Sequence, residues 1–394
     1  MKRNVAVFFG GRSTEHEISC ISANQAMKAL DTDKYDITPI YISKDNDLYT
    51  GEALFDLANY GSLSDLCAKC EKVMLYKDGN HVFVRPVKSS LFRKSEKSID
   101  VAFPVVHGTN VEDGSLAGYL EMLGLPYTCS DVLGGAIGQD KAIMKAVLKE
   151  EEVPMVPYFA VYEDDYGKEP ERYLEKAKNI GFPLIAKPAN LGSSIGIEVI
   201  HNEEEFPEKM KECFRYDFKV VVERMIEELK EVNISVMGSE EDFSLSEIEE
   251  VMKGDELLSF RDKYEGGSKG KLPSKGVKSA GSKGMASTDR KVPADLSDEQ
   301  RRKIEETAAK SFKALHAHGV VRIDFMIDKK DGSVYVNEIN SIPGSLAFYL
   351  WEAKGINFSE ECDILIKNAL KRYAAREKKT YSFETNILAN YGRK

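Results

Sequence analysis

The chain opens with a five-residue apolar run, Val5-Ala6-Val7-Phe8-Phe9, broken by Gly10-Gly11. A short continuous run ended by glycines predicts a buried strand followed by a tight turn. Thr14 and Glu17 then stand at capping-box spacing, and Ile18, Ile21, Met27 and Leu30 follow as the apolar face of a helix. Apolar runs at 37–42 and 101–106 predict two more strands. Strand, helix and strand in alternation build a parallel sheet, and such sheets bind ligands at the carboxyl ends of their strands. Gly10-Gly11 and His107-Gly108 both fall at that end. No G-x-G-x-x-G is present, so a dinucleotide is not indicated.

Beyond residue 139 the pattern predicts a helix over 140–151 and strands over 182–188 and 195–200. The last two are split by Ala189-Asn190-Leu191-Gly192-Ser193-Ser194. Further strands are expected at 219–225 and 232–237, and a helix at 299–318. Strands at 320–328 and 334–339 flank an Asp331-Gly332 turn and read as a hairpin, and an amphipathic helix over 358–378 closes the chain. Between them, 263–291 carries seven lysines and six glycines and cannot build a core; it reads as a mobile cationic lid or a linker. No fixed-period repeat is apparent, which argues against a solenoid.

Composition narrows the class. A chain of 394 residues with 42% hydrophobic and 30% charged residues has room for several folded lobes. The net charge of -10 repels nucleic acid and anionic membrane, so neither is expected as a partner. The N-terminal apolar run is too short for a signal peptide and no stretch approaches the ~20 apolar residues of a membrane span, so a cytoplasmic protein is expected. The six cysteines should then stay reduced, and Cys67-Ala-Lys-Cys70, with no second pair, reads as two surface thiols on a helix.

The sharpest chemical signal is Arg322-Ile323-Asp324 on one hairpin strand with Asn337-Glu338-Ile339-Asn340 on the other. Alternation sends Arg322 and Asp324 to one face, and Glu338 and Asn340 likewise to one face. Ile323, Phe325, Val336 and Ile339 are left for the core. Three hard oxygen ligands then converge in the manner magnesium requires when it bridges substrate phosphates. The second signal is Lys187-Pro188 followed by Leu191-Gly192-Ser193-Ser194-Ile195-Gly196, where small residues let backbone N–H groups approach phosphate. Glu15, at a helix start beside a glycine turn, is suited either to a substrate ammonium or to capping the helix. His107 reads as structural.

The run from Phe9-Gly10-Gly11-Arg12-Ser13-Thr14-Glu15-His16-Glu17 through His107-Gly108 to Glu112-Asp113-Gly114, the Lys187 loop and the Arg322–Gly344 hairpin resembles the D-alanine:D-alanine ligases of the ATP-grasp superfamily over nearly the whole chain. The resemblance implies an α/β fold with an N-terminal parallel-sheet (pre-ATP-grasp) domain over 1–136, followed by a two-lobed α+β ATP-grasp domain. The small lobe would span 137–216 and the large lobe 217–394, with the lid at 263–291. It further implies that ATP phosphorylates the carboxylate of a first D-alanine and that the amine of a second attacks the acyl phosphate. By the same resemblance, Asp324, Glu338 and Asn340 would hold two magnesium (or manganese) ions. Lys141, Lys187, Ser194 and Lys263 would meet the phosphates, Glu223, Arg224 and Ile226 would edge the adenine, and Glu231 would take the ribose. Glu15, through Ser193 and Tyr264, would anchor the first substrate, and Arg322 with the Gly344 N–H would form the oxyanion hole. Tyr264 matches dipeptide-forming rather than ester-forming members, and a homodimer is implied.

Three departures stand out. Tyr349 occupies the place of a serine that grips the second substrate's carboxylate, Val111 replaces a glycine, and the lid is longer and richer in lysine and glycine. Tyr349 keeps open a sister ligase that joins D-alanine or another amino acid to a different acceptor. A nucleotide-binding protein without turnover is the remaining class, but such a binder has little use for Arg322.

Overall fold

The computed structural model describes residues 2–88, 96–252, 290–385 and 387–391. Lys263, Tyr264 and nearly all of the lysine- and glycine-rich tract therefore lie outside the described residues, as does whatever role the resemblance gives them. Among the described residues the strands form three sheets, and the α/β class with a parallel-centred N-terminal sheet and antiparallel sheets beyond it agrees with the expectation.

The first sheet contains β1 (Arg3–Gly10), β2 (Tyr35–Ile42), β3 (Leu48–Thr50), β4 (Glu71–Asp78), β5 (His81–Pro86), β6 (Lys97–Ile99) and β7 (Val101–Pro104), in the order β6-β5-β4-β3-β2-β1-β7. Only β2-β1-β7 is parallel; the strands from β3 to β6 extend it as antiparallel hairpins that the apolar pattern did not reveal. The helix His16–Ala29 follows β1, but Thr14 does not cap it. Its N-cap is Glu15, whose side chain makes no cap bond, and its buried face is built from Ser19, Cys20, Ala23 and Ala26 as well as Met27. Small and polar side chains let this helix lie close against β1: the Ser19 hydroxyl donates to the Val105 carbonyl at 2.6 Å and accepts the Gly10 N–H at 2.8 Å. Ile18 and Ile21 are only half-buried.

The second sheet holds β8 (Tyr158–Tyr162), β9 (Leu184–Pro188), β10 (Glu198–Ile200) and β11 (Lys219–Arg224), all antiparallel in the order β10-β9-β11-β8. Tyr173 and Ala177 of one helix and Phe206, Met210 and Cys213 of another cover one face. In the third sheet β12 (Leu229–Gly238), β13 (Phe243–Val251), β14 (Arg290–Lys291), β15 (Gly319–Asp328) and β16 (Val334–Asn340) run in the order β14-β13-β12-β15-β16. Ile304, Ala308 and Phe312 of the helix Asp298–Ala314 pack on this sheet, as do Met144 and Leu148 of the helix Lys141–Glu150. That last helix starts at Asp140, whose carboxylate accepts the N–H groups of Ala142 and Ile143 at 3.0 and 3.1 Å.

The closing helix Phe358–Arg376 packs back on the first sheet, where Cys362, Leu365 and Ile366 join Val5, Val7 and Phe103 in one core. Trp351, fully buried, ties the same region to β12 by donating Nε1–H to the Ser235 hydroxyl at 3.1 Å. The carboxyl ends of β1 and β7, the loop after β9 and one face of the third sheet are thereby held around one cavity.

Candidate active site

The floor of the cavity is a polar row that runs straight across four strands. Register pairs Glu249 of β13 with Asn233 of β12, Asn233 with Asp324 of β15, and Asp324 with Glu338 of β16. Neighbouring strands lie about 4.8 Å apart, so register alone spaces these side chains as a ladder. Arg322, opposite Asn340, sits beside the row and forks onto Asp324 through Nε–H to Oδ1 at 2.6 Å and NH2 to Oδ2 at 2.7 Å. Asn340 Nδ2 also donates to Asp324 Oδ2 at 3.2 Å. Burial raises the Asp324 carboxyl; Arg322 opposes this, and the neighbouring charges of Glu338 and Glu249 add to it, leaving the group above its ordinary value. The row is therefore rich in negative charge.

Strict alternation cannot build this floor. Val336 is in the core and Glu338, two residues on, lines the cavity, although the two would share a face in a regular strand. A bulge resolves the conflict: Asp324 pairs with Glu338 but Phe325 pairs with Val336, so Asn337 is an extra residue. Asn337 and Glu338 both line the cavity, and Ile339 returns to the core.

The opposite wall is cationic. Lys141 donates to the Leu191 carbonyl at 2.7 Å and lies 3.3 Å from Glu338. Lys187 donates to Asn337 Oδ1 at 3.0 Å and is ion-paired with Glu223. Glu223 is fully buried and also holds Lys145 at 2.9 Å. Burial alone would raise the Glu223 carboxyl, but Lys145 and Lys187 outweigh it and pull it down to about 2. Burial would likewise discharge Lys187, yet Glu223, Glu338 and Glu231 keep its ammonium above the ordinary value.

Where the first sheet meets the loop after β9, the Ser193 hydroxyl donates to Glu15. This close approach needs glycine at 192, because a Cβ there would stand 2.7 Å from Glu15 Oε2. Ser193 and Ser194 both sit in the left-handed region, at φ of 54° and 60°. Nearby, Glu112 accepts the N–H of Gly108 at 2.9 Å and that of Ile342 at 2.9 Å, with the Ser341 hydroxyl at 3.1 Å. Burial raises its carboxyl to about 7, the Gly108 bond opposing and the Glu15 charge reinforcing. His107, which burial lowers to about 4, bridges the Ile342 carbonyl and the Ser22 hydroxyl at 2.9 and 3.1 Å. Gly344 lines the cavity and is followed by three consecutive left-handed residues, Ser345, Leu346 and Ala347.

The cavity thus brings together Glu15, Ser193, Ser194, Lys141, Lys187, Glu231, Arg322, Asp324, Glu338, Asn340 and Gly344. Glu223, Arg224 and Ile226 are not among its lining residues. The Glu223 side chain is taken by the two lysines, Arg224 lies 3.6 Å from Asp328, and Ile226 packs with Val156 and Met326. Sequence reading gave no role to Lys145, Asn337, Glu112, Asn233, Glu249 or Arg290. Lys145 was within reach, since it stands four residues from Lys141 on the same helix face. Glu249 was not, because its strand was not foreseen.

Hard oxygens at Asp324 and Glu338 in the row and at Asn340 beside it, amid surplus negative charge, suit a divalent cation. No cluster of three or more His, Cys, Asp and Glu fit to hold a metal occurs among the described residues, so such a site depends on Asn340 as well. No helix among the described residues is long and apolar enough to cross a membrane.

The D-ala D-ala ligase N-terminus family matches residues 4–130, and the D-ala D-ala ligase C-terminus family matches residues 147–367. The D-alanine--D-alanine ligase of Thermosipho melanesiensis is 37% identical over 385 residues, 98% of both chains. Among solved structures, the D-alanine-D-alanine ligase from Coxiella burnetii aligns with a TM-score of 0.75 at 28% identity, covering 96% of each chain. The VanG D-Ala:D-Ser ligase from Enterococcus faecalis aligns with a TM-score of 0.74 at 25% identity, covering 94% of this chain and all of that one.

Proposed function

Since the chain belongs to the D-alanine–D-alanine ligase family, we propose that it is the ATP-dependent enzyme that joins two D-alanines, releasing ADP and phosphate, to supply cell-wall precursor. One observation carries the reading. A carboxylate held for an ammonium (Glu15 with Ser193), a pair of cations held for phosphate (Lys141 and Lys187) and an arginine beside a loop N–H (Arg322 and Gly344) border the same cavity.

Each group has a task that its surroundings support. Glu15 binds the ammonium of the first D-alanine, since its carboxylate is turned from the helix it precedes toward Ser193. The first carboxylate must approach the γ-phosphate of ATP, and two anions in contact repel. Lys141 and Lys187 neutralise the phosphates, while the backbone around Ser194 approaches them closely. Asp324, Glu338 and Asn340 would hold two magnesium or manganese ions, which when bound offset the remaining charge between nucleophile and phosphate. Lys263 and Tyr264 belong to the same reading by resemblance. Glu231 lines the cavity where a ribose would lie, whereas Glu223, Arg224 and Ile226, which the resemblance sets beside the adenine, do not line it.

In the second half-reaction the amine of the second D-alanine attacks the acyl phosphate. Oxyanion charge then develops on the carbonyl oxygen, where Arg322, fixed by its fork onto Asp324, and the Gly344 N–H stabilise it without reorganising. A homodimer is part of the same proposal. ADP release with ATP, magnesium and D-alanine, with the product identified by mass, tests the function. D-alanyl-D-alanine is the expected product. ADP release only when another acceptor is added would assign the chain to a sister ligase, the reading that Tyr349 favours.

A further inference from the structure

Glu15 lines the cavity from the loop that joins β1 to the helix His16–Ala29, and that loop begins at two glycines. Gly10 and Gly11 both sit at positive φ, 90° and 102°, and glycine is the residue with the most other conformations open to it. A carboxylate that meets an ammonium at hydrogen-bond distance needs such a turn fixed. The Gly10 N–H is taken by the Ser19 hydroxyl and the Gly11 N–H by the Ile42 carbonyl, each at 2.8 Å. Val111 closes one side, since a Cβ on Gly11 would stand 2.6 Å from Val111 Cγ1. Further along, the Ser13 hydroxyl accepts the Glu15 N–H at 3.0 Å and donates to the His107 carbonyl at 2.6 Å.

The Gly11 carbonyl is held by a side chain from beyond Glu15. His16, the first residue of the helix, is fully buried, and its Nδ1 lies 2.6 Å from that oxygen. A carbonyl only accepts, so Nδ1 carries the proton. Burial lowers the imidazole below its ordinary value by more than the Gly11 bond raises it, so the ring is neutral and Nε2 is an acceptor. Nε2 accepts the Tyr41 hydroxyl at 3.0 Å. Tyr41, on β2, meets the imidazole edge-on with ring centroids 5.5 Å apart, and packs in turn against Phe9 and Tyr60. One imidazole thus joins β2, the glycine turn and the residue after Glu15. Neither His16 nor Tyr41 is among the residues that line the cavity.

We propose that His16, oriented by Tyr41, is a positioning residue for Glu15: its Nδ1–H pins the Gly11 carbonyl and so sets where the Glu15 carboxylate meets the ammonium of the first amino acid. This rests on the ligase reading above and adds the device that shapes its first subsite. The device is geometric, because the ring is neutral and stands behind the loop. Its loss weakens the grip on the ammonium in the ground state and the transition state alike, so KM for the first amino acid moves and kcat does not.

Asparagine and glutamine separate the two bonds of the ring. The Asn amide nitrogen overlies imidazole Nδ1 and keeps the Gly11 bond, whereas the Gln amide reaches the Nε2 position and keeps only the bond to Tyr41. The experiment measures KM for D-alanine at the first site with excess hydroxylamine as acceptor, and KM for ATP in the same assay. Hydroxylamine nitrogen attacks the acyl carbon, the bond to the phosphate oxygen breaks, phosphate leaves, and D-alanine hydroxamate is counted. His16→Gln should raise the D-alanine KM on the order of 10-fold, the worth of one well-placed hydrogen bond, with kcat and the ATP KM within about twofold of the unmodified protein. His16→Asn should restore the D-alanine KM to within about threefold, and Tyr41→Phe, which keeps the ring and loses only the hydroxyl, should fall between the two. An Asn variant as poor as Gln, or an ATP KM that moves as far as that for D-alanine, would overturn the assignment, since a role confined to stability moves them together. If thermal melting shows that the His16 variants do not fold, Tyr41→Phe decides alone, and an unaltered D-alanine KM in it would overturn the assignment as well. If the unmodified protein forms no hydroxamate from D-alanine and ATP, the ligase reading itself fails and the role of His16 falls with it.

Discussion

The two walls of the cavity carry opposite surpluses of charge and hold them differently. Around β9 and β11, Lys145 and Lys187 close on the single carboxylate of Glu223, with all three side chains at least nine-tenths buried. Across the third sheet, Glu249, Asp324 and Glu338 outnumber Arg290 and Arg322, and Glu338 keeps 29% of its side-chain surface. The first arrangement is sealed and structural as well as electrostatic; the second is partly open and incomplete. A polarised cavity of this kind is completed by a ligand with both signs, polyanion toward the lysines and cation toward the row.

Three experiments press on that contrast. Glu338→Ala removes one anion from a wall that has too many, so the protein should melt at or slightly above the temperature of the unmodified chain. Turnover should nonetheless fall on the order of 1,000-fold, because a cation clamp supplies several kcal/mol at about 1.4 kcal/mol per factor of ten. ADP release and thermal melting read the two effects, and unaltered release would remove Glu338 from the metal set. Glu223→Ala does the reverse. It strands two buried lysines and should cost about 3–5 kcal/mol, visible in denaturant unfolding and as faster hydrogen exchange across β9 and β11. A loss of activity with no loss of stability would show that the buried triad is not structural.

The smallest effect is in pH. Glu223 sits below the ordinary carboxylate range at about 2, so its contribution is complete above about 4.5 and is lost as pH falls toward 2. Glu112 is raised to about 7, so the folded state holds a proton the unfolded chain has released, and stability declines as pH rises from about 4.5 to 7. Glu112→Gln should flatten the melting-temperature profile across that window. The slope is the readout, since the amide also alters the bonds to Gly108 and Ile342; a slope that persists would assign it to another group.

Much of this was legible beforehand. The strands that carry Val5–Phe9, Lys187 and Arg322, the hairpin turn at Asp331-Gly332 and the closing helix all announce themselves through continuous apolar runs or clear periodicity. Short half-exposed strands such as Leu48–Thr50 and Lys97–Ile99 do not, because edge hairpins bury too little to leave a pattern. At the site, Asp324, Glu338 and Asn340 were readable as a group. Asn233 and Glu249 were not, since only cross-strand register puts them in the row, and register is a tertiary fact. Glu223 illustrates the limit of carrying a role by position: the residue is where the pattern places it, but its side chain is turned into the lysine pair.

The extra residue at Asn337 also sets which genetic changes this strand can absorb. Codon substitutions at 337 leave the count of residues intact, and with it the phase of everything downstream. Loss of that one codon would restore a perfect zigzag in which Val336 and Ile339 stay in the core and Glu338 and Asn340 keep facing the cavity. In this strand an in-frame loss of codon 337 thus leaves the phase intact, and what it takes away is the Asn337 oxygen that accepts from Lys187.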